Sequence, residues 1–355
     1  MTVAALIGYV MVPLFGVVLW AAPLATRPTI QFGVRVPPAQ ISAAVIRRQR
    51  RGYQWRSAVV AICATAAVVA IGGRAPWWPS RLIILVEILA DLGCFWWAHQ
   101  RITKVKAAEG WFAGRRQIVV ADTSWRSEPQ RFPVGWLLPA VAVIVATAII
   151  GILRYPHLPA YLDSGGHQVA TSPARAFAII VGQLYVTGLG TVLLVLVHRS
   201  RPDLDTADPA ASLRGYRKAL TAFARATLVL LASINLTLLL AGLRLWRVLS
   251  QSGAGTVLVV LPVALGVVTC FVTVVRAGRE RARTARTAAT TDRDDDRFWK
   301  AGLVYVNRDD PAVLVSARFA FGWTVNFGNP TAWLLVAGIV ATPVGLVIIK
   351  LATGA

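Results

Sequence analysis

Apolar residues dominate eight stretches of the chain, roughly Thr2 to Leu24, Ser57 to Gly72, Leu82 to Ala98, Trp136 to Leu153, Ala176 to His198, Leu220 to Leu243, Thr256 to Val275 and Ala332 to Ile349. Each approaches the ~20 residues that carry an α-helix across ~30 Å of hydrocarbon, the second and third being near the lower limit. The pattern predicts an all-α integral membrane protein of about eight transmembrane helices. Residues 1–135 would hold three helices and two basic loops, and residues 136–275 a core with an outer loop at 154–175. Residues 276–331 would form a linker and an aromatic module, and 332–355 the last helix and its tail.

The polar segments between these stretches alternate between Arg-rich and Arg-poor. Most of the 37 Lys and Arg residues follow the first, third, fifth and seventh stretches, whereas the other loops and the tail hold only Arg74, Arg81, Arg154, Arg175, Arg244, Arg247 and Lys350. Basic residues near helix ends are retained on the cytoplasmic side. The expected location is therefore a bacterial cytoplasmic membrane, crossed several times, with both termini outside. A net charge of +21 would suggest nucleic-acid binding in a soluble chain. Here it is a topogenic signal with added attraction to anionic lipid, and no basic-aromatic reader motif accompanies it. The expected partner is the bilayer, not nucleic acid; the oligomeric state stays open. The amino-terminal stretch lacks a basic leader and runs apolar for too long to be a secretion signal, so it is expected to be a first span. Cys63, Cys94 and Cys270 lie within spans, so no disulfide framework is implied.

The cytoplasmic segments have their own patterns. Ile41, Val45 and Ile46 precede Arg47, Arg48, Arg50 and Arg51, which predicts a short interfacial helix with snorkelling basic stems. Arg276 to Thr291 is expected to extend the seventh helix. Asp292 to Arg297 reads as a solvated linker, because Asp292, Asp294, Asp295 and Asp296 lack the turn glycine and closing glutamate of a calcium loop. Phe298 to Thr331 is dense in aromatic residues, including Trp299, Tyr305, Phe319, Trp323 and Phe327. Val304 to Asn307 and Thr324 to Phe327 read as short strands, with turn chemistry at Asn307, Asp309, Asp310 and Pro311. The expected arrangement is a segment docked at headgroup level, with a small domain as the alternative.

Chemistry is sparse. Glu87 and Asp91 lie inside the third span, where i, i+4 spacing places both on one face. Asp91 is ~15 Å from Arg81 along the helix, about halfway across, where a charge costs at least ~2.5 to 3.5 kcal/mol. Two readings stay open. One is a polar clamp with Gln183, Tyr185, Thr187, Asn235 or Thr237 on other spans. The other is a proton or cation relay. Arg225 is expected to snorkel instead of pairing with Asp91. Pro139, Pro262 and Pro343, with Gly182, Gly188 and Gly190, interrupt spans as in transporters but also as in ordinary membrane helices. On the outer loop, His157, Asp163 and His167 lack a metal-site spacing, so neither metal nor cofactor is expected. No phosphate-cradling loop, zincin helix, nucleophile elbow or paired-Cys site is present, which argues against an enzyme.

Two resemblances add to this reading. The stretch from Trp299, Lys300 and Gly302 through Tyr305, Asn307, Asp309, Asp310 and Pro311 to Arg318, Gly322, Trp323, Thr324, Asn326 and Phe327 is similar to an uncharacterised cytoplasmic module that closes many bacterial multi-span proteins. The outer-loop element Tyr155, Pro156, Leu158, Pro159 resembles that of the uncharacterised membrane domain shared with SdpI, a bacteriocin-immunity protein. Phe32 to Pro37, with Arg51, Gly52 and Tyr53, is similar to the first inner loop of that group. Members of the group continue with Pro-x-His and Gly-x-x-Asp, whereas here Tyr161, Leu162 and Asp163 run to Gly165, Gly166 and His167, so the family histidine has no counterpart. The resemblance implies a membrane immunity or envelope-stress factor that meets a membrane-active peptide, with a cytoplasmic regulatory protein as a further partner. The runner-up is a proton- or cation-coupled secondary transporter using Glu87 and Asp91.

Overall fold

A computed structural model describes residues 3–71, 78–112, 130–164, 167–200, 209–250, 252–284, 295–319 and 322–340. Among the described residues, seven helices are long and apolar enough to cross a membrane: α1 (Val3–Ala25), α2 (Ala44–Ile71), α3 (Trp78–Ala108), α4 (Leu138–Arg154), α5 (Pro173–Arg199), α6 (Pro209–Leu245) and α7 (Gly253–Thr284). A shorter apolar helix, α8 (Pro330–Val340), begins the eighth predicted stretch. The rest of that stretch, with Pro343, lies outside the described residues, as do Gly72, Arg74, Arg115, Arg116, Arg126, Gly165, Gly166, Asp292 and Asp294. The side chains of Asp163 and His167 are also outside them.

Most helices outrun the apolar stretches that predicted them. Hydropathy marks only the part immersed in hydrocarbon, while Arg, Lys and Gln continue the backbone ladder beyond it as good helix formers. The expected separate interfacial helix is therefore the beginning of α2, which runs unbroken from Ala44 through Arg47, Arg48, Arg50 and Arg51 into the span. Likewise α7 continues through Arg276 and Arg279 to Thr284, and the remainder of that tract, to Thr291, is outside the described residues.

The helices pack as two groups of three. One contains α1, α2 and α3; in the other α4 and α5 lie against α6, and α7 sits between the groups, in contact with both α1 and α6. Beside Pro262 of α7 the Val263 N–H donates to Thr237 Oγ1 of α6 at 3.2 Å, so a polar group at a helix interruption is met by a neighbouring helix. Lipid-facing positions are large and apolar, among them Ile62, Leu138 and Leu334.

At the basic end of the bundle, the segment after α1 forms a hairpin, β1 (Ile30–Gln31) with β2 (Val34–Arg35). Its two turn residues, Phe32 and Gly33, both have positive φ, the geometry that matches hairpin twist. The aromatic module forms two more hairpins, β5 (Trp299–Lys300) with β6 (Val304–Tyr305), and β7 (Leu314–Ser316) with β8 (Trp323–Val325), joined by a bridge between Tyr305 and Asn326. The two strands expected here exist but end earlier, at Tyr305 and Val325. Their partners and β1–β2 are too short to show alternation.

The module is both folded and docked. Gly33 and Gly302 meet backbone to backbone: a Cβ on Gly33 would lie 2.3 Å from the Gly302 carbonyl oxygen. Gly33→Ala is expected to cost about 2 to 3 kcal/mol, since it adds a left-handed Cβ and a clash that backbone cannot relieve. A lowered thermal midpoint in detergent checks this; an unchanged one contradicts the docking geometry.

At the opposite end, the predicted outer loop is not irregular. After a short 3₁₀ turn (Tyr155–His157) it forms a four-residue antiparallel hairpin, β3 (Tyr161–Ser164) with β4 (His167–Ala170). The Thr171 hydroxyl donates to the Pro159 carbonyl, and Arg175 donates to the Ala170 carbonyl at 2.8 Å, closing its base.

Candidate functional site

The buried stripe of α3 recurs every three or four residues: Glu87, Asp91, Phe95, Ala98 and Ile102. Helical periodicity therefore turns two carboxylates inward on a face that is otherwise apolar. Glu87 is 1% exposed and Asp91 2%. All four of their carboxylate oxygens are buried without a hydrogen-bond partner among the described residues.

Three helices enclose the pair. Gly16 of α1 crosses α2 at Ala61 so closely that a Cβ there would lie 2.9 Å from Glu87 Oε1. On α2, Ser57 lies beside Asp91, and its own hydroxyl is buried. Toward the far end, Val12, Ala64 and Val68 close the space with Tyr9, Ile83 and Ile84. Toward the basic end stand four aromatic rings: Phe32 of the β1–β2 turn, Tyr53 of α2, Phe95 of α3 and Phe319 of the module. Phe319 meets Phe95 edge-on at 4.7 Å and Tyr53 at 6.1 Å, and the Tyr53 hydroxyl donates to the Leu19 carbonyl at 3.1 Å. The carboxylates thus sit midway in a three-helix bundle between an aliphatic layer and an aromatic one.

The expected clamp partners are elsewhere. Gln183 of α5 donates to Thr147 Oγ1 of α4 at 3.0 Å and to the Asn235 carbonyl of α6 at 2.9 Å, and Asn235 donates to Thr187 Oγ1 at 2.7 Å. This network lies in the second group of helices and serves its own members, while Thr237 serves α7. Pairing Glu87 and Asp91 with these residues is therefore corrected: α1 and α7 lie between the two polar clusters in the packing of the helices. Arg225 lies over the Trp136 ring at 5.7 Å and is exposed, consistent with snorkelling.

The module residues do assemble. Asn326, fully buried, accepts from the Asn307 and Gly328 amides and donates to the carbonyls of Asn307, Asp310 and Ala312. Tyr305 donates to Asp310 at 3.2 Å and accepts from Asn307 at 3.2 Å, and its ring lies 5.1 Å from Trp299. Asn329 ties down the Pro311 carbonyl at 2.9 Å. Every one of these contacts satisfies backbone or neighbouring module groups, so their role is to shape the turn. The Trp323 ring lies 5.2 Å from that of Phe223 of α6, tilted by 47°.

The expectation of a solvated linker fails at Asp296, while Asp292 and Asp294 lie outside the described residues. Asp296 accepts from Arg318 Nη1 at 2.5 Å, from Lys106 Nζ of α3 at 2.6 Å and from the Arg35 amide at 3.3 Å. Arg318, 1% exposed, also donates to the Gly33 carbonyl at 2.7 Å and lies over Trp299 at 4.8 Å. Asp295 instead caps the short turn that follows, through the Arg297 amide. Sequence reading missed Gly16, Ser57, Tyr53, Phe319 and Asp296 as parts of these sites. Only the Phe32–Gly33 turn carried a local signal, its glycine.

Of the outer-loop candidates, Tyr155 lies 5.6 Å from Phe177 and the Leu158 amide donates to the Tyr155 carbonyl at 3.2 Å. Pro156 lies in the 3₁₀ turn, Pro159 at the hairpin base, and Asp163 and His167 on opposite strands. Among the described residues no three His, Cys, Asp or Glu side chains come together.

Comparison with known proteins adds one match. A model described as a family of unknown function (DUF5808) matches residues 308–333, the second half of the module and the start of α8. No curated protein and no solved structure matches the chain.

Proposed function

We propose that the protein is a cation-coupled membrane transporter in which Glu87 and Asp91 hold the coupling ion, a proton or a monovalent cation. The observation that carries this reading is the set of four buried carboxylate oxygens without a hydrogen-bond partner among the described residues. Uncompensated buried charge is costly enough that the pair must be neutralised, by protons or by a bound cation. The Ser57 hydroxyl on α2 lies beside Asp91 and can offer a hydrogen bond but no compensating charge. Ion uptake into proteoliposomes that carry the full chain, with and without an imposed proton or sodium gradient, tests the reading. Gradient-dependent flux supports it, and flux no greater than in empty vesicles sinks it.

A second reading, immunity to a membrane-active peptide, is supported by the Tyr155, Pro156, Leu158, Pro159 resemblance and by the ordered β3–β4 hairpin that follows it. Replacing residues 161–170 by a short Gly-Ser turn is then expected to remove protection of cells against peptide-induced depolarisation without lowering membrane insertion. Full protection by the shortened protein contradicts that reading.

A further inference from the structure

We propose that the groove between α2 and α3 at the basic end is a binding site for the phosphate of an anionic phospholipid. The site is distinct from the carboxylate pair and does not depend on ion coupling. On α2, Arg48, Gly52 and Arg56 recur every four residues, and on α3 so do Trp97, Arg101 and Val105, so each helix turns one stripe into the groove between them. The groove has a volume of about 580 Å³. Gly52 lies against the Arg56 guanidinium, whose nitrogens are the atoms nearest to a Cβ placed there, at 3.7 Å.

Among the described residues, three guanidinium groups share this space and no carboxylate lines it. Two are held by the same indole: Arg56 lies 5.2 Å from the Trp97 ring and Arg101 5.8 Å. Arg56 Nε and Nη2 are buried without a hydrogen-bond partner among the described residues. Clustered cations, two of them against one indole and one with buried donors left over, are complementary to a phosphate, whose oxygens accept from several guanidinium groups at once.

The surroundings favour a lipid as the source of that phosphate. Trp97 lines the groove, and Trp55 and Trp96, next in sequence to the groove residues Arg56 and Trp97, are exposed with it, the placement of an interfacial aromatic belt. From there the exposed apolar positions Val59 and Ile62 of α2 and Leu89 and Leu92 of α3 continue along the two helices, a path for acyl chains. Free phosphate would use the same guanidinium groups but not that path.

Native mass spectrometry of the full chain in detergent, titrated with phosphatidylglycerol or phosphatidylcholine of the same acyl composition, tests the proposal. Wild type is expected to retain one phosphatidylglycerol saturably and to prefer it over phosphatidylcholine. Losing charge-assisted hydrogen bonds should weaken that retention at least about tenfold in Arg56→Gln and in Arg48→Gln/Arg101→Gln. Arg48 and Arg101 are exposed, so the double variant keeps the test decisive where Arg56→Gln does not fold. Arg47→Gln/Arg51→Gln, on the same helix but outside the groove, should bind as wild type does. Equal retention of both lipids, equal loss in the two double variants, or displacement of phosphatidylglycerol by inorganic phosphate at matching concentration would each overturn the assignment.

Discussion

Asp91→Asn is expected to lower gradient-driven flux at least about 100-fold while leaving the protein folded. An uncompensated Asp at mid-membrane costs ~2.5 to 3.5 kcal/mol, energy that a bound ion can return, and at ~1.4 kcal/mol per decade this corresponds to about two decades of ion affinity. Asparagine preserves shape and packing against Ser57 and Phe95 but cannot carry the compensating charge. The same reasoning gives a stability result of opposite sign. Removing a buried ionisable group without a hydrogen-bond partner is expected to hold or raise the thermal midpoint, where loss of a satisfied clamp would lower it. Glu87→Gln/Asp91→Asn should extend both effects. Flux at the wild-type level in Asp91→Asn, or a lowered midpoint with flux retained, would make the pair a structural brace and end the transport reading.

The second large effect is expected at Arg318. Arg318→Ala removes the bonds to the Gly33 carbonyl and to Asp296 together with the contact over Trp299, and it strands groups that Lys106 alone cannot satisfy. Breaking a buried pair from one side costs ~3 to 5 kcal/mol, and about 2 to 4 is the expected loss here because Asp296 is 35% exposed. That loss should fall on the docking of the module and not on the helices. Amide hydrogen exchange across residues 299–327 is expected to accelerate by about one to three decades at ~1.4 kcal/mol per decade, with α4, α5 and α6 unchanged. Withdrawal of Phe319 would also open the aromatic layer between the carboxylates and the basic end, so flux in this variant reports whether the module gates access. Unchanged exchange would show that Arg318 does not hold the module in place.

These two sites differ in how visible they are before folding. The spans can be read directly, since a helix facing lipid must be apolar whatever it packs against, and Glu87 and Asp91 stand out because the bilayer makes them expensive. The turn residues of the module are likewise local: Asn307, Asp310, Pro311 and Asn326 act on backbone within a few residues or across one hairpin. The neighbours of the carboxylates are another matter. Gly16 is one small residue in an apolar run, and Ser57 has no pattern around it; each acquires meaning only where α1 and α2 cross.

Chain composition and periodicity alone therefore determine that this is a many-span helical membrane protein with a basic face, an inward pair of acids and a turn-rich aromatic segment near its end. Tertiary structure alone decides that α1 and α2, not α5 and α6, surround the acids, and that Gln183 and Asn235 satisfy their own helices. It also turns Asp296 from a linker residue into the junction of Lys106, 190 positions away, the Arg35 amide, 261 away, and Arg318. The reason is range. Hydrophobic immersion and turn geometry are set by a residue and its sequence neighbours, whereas satisfying or stranding a buried charge depends on groups that only chain packing brings within 3 to 4 Å.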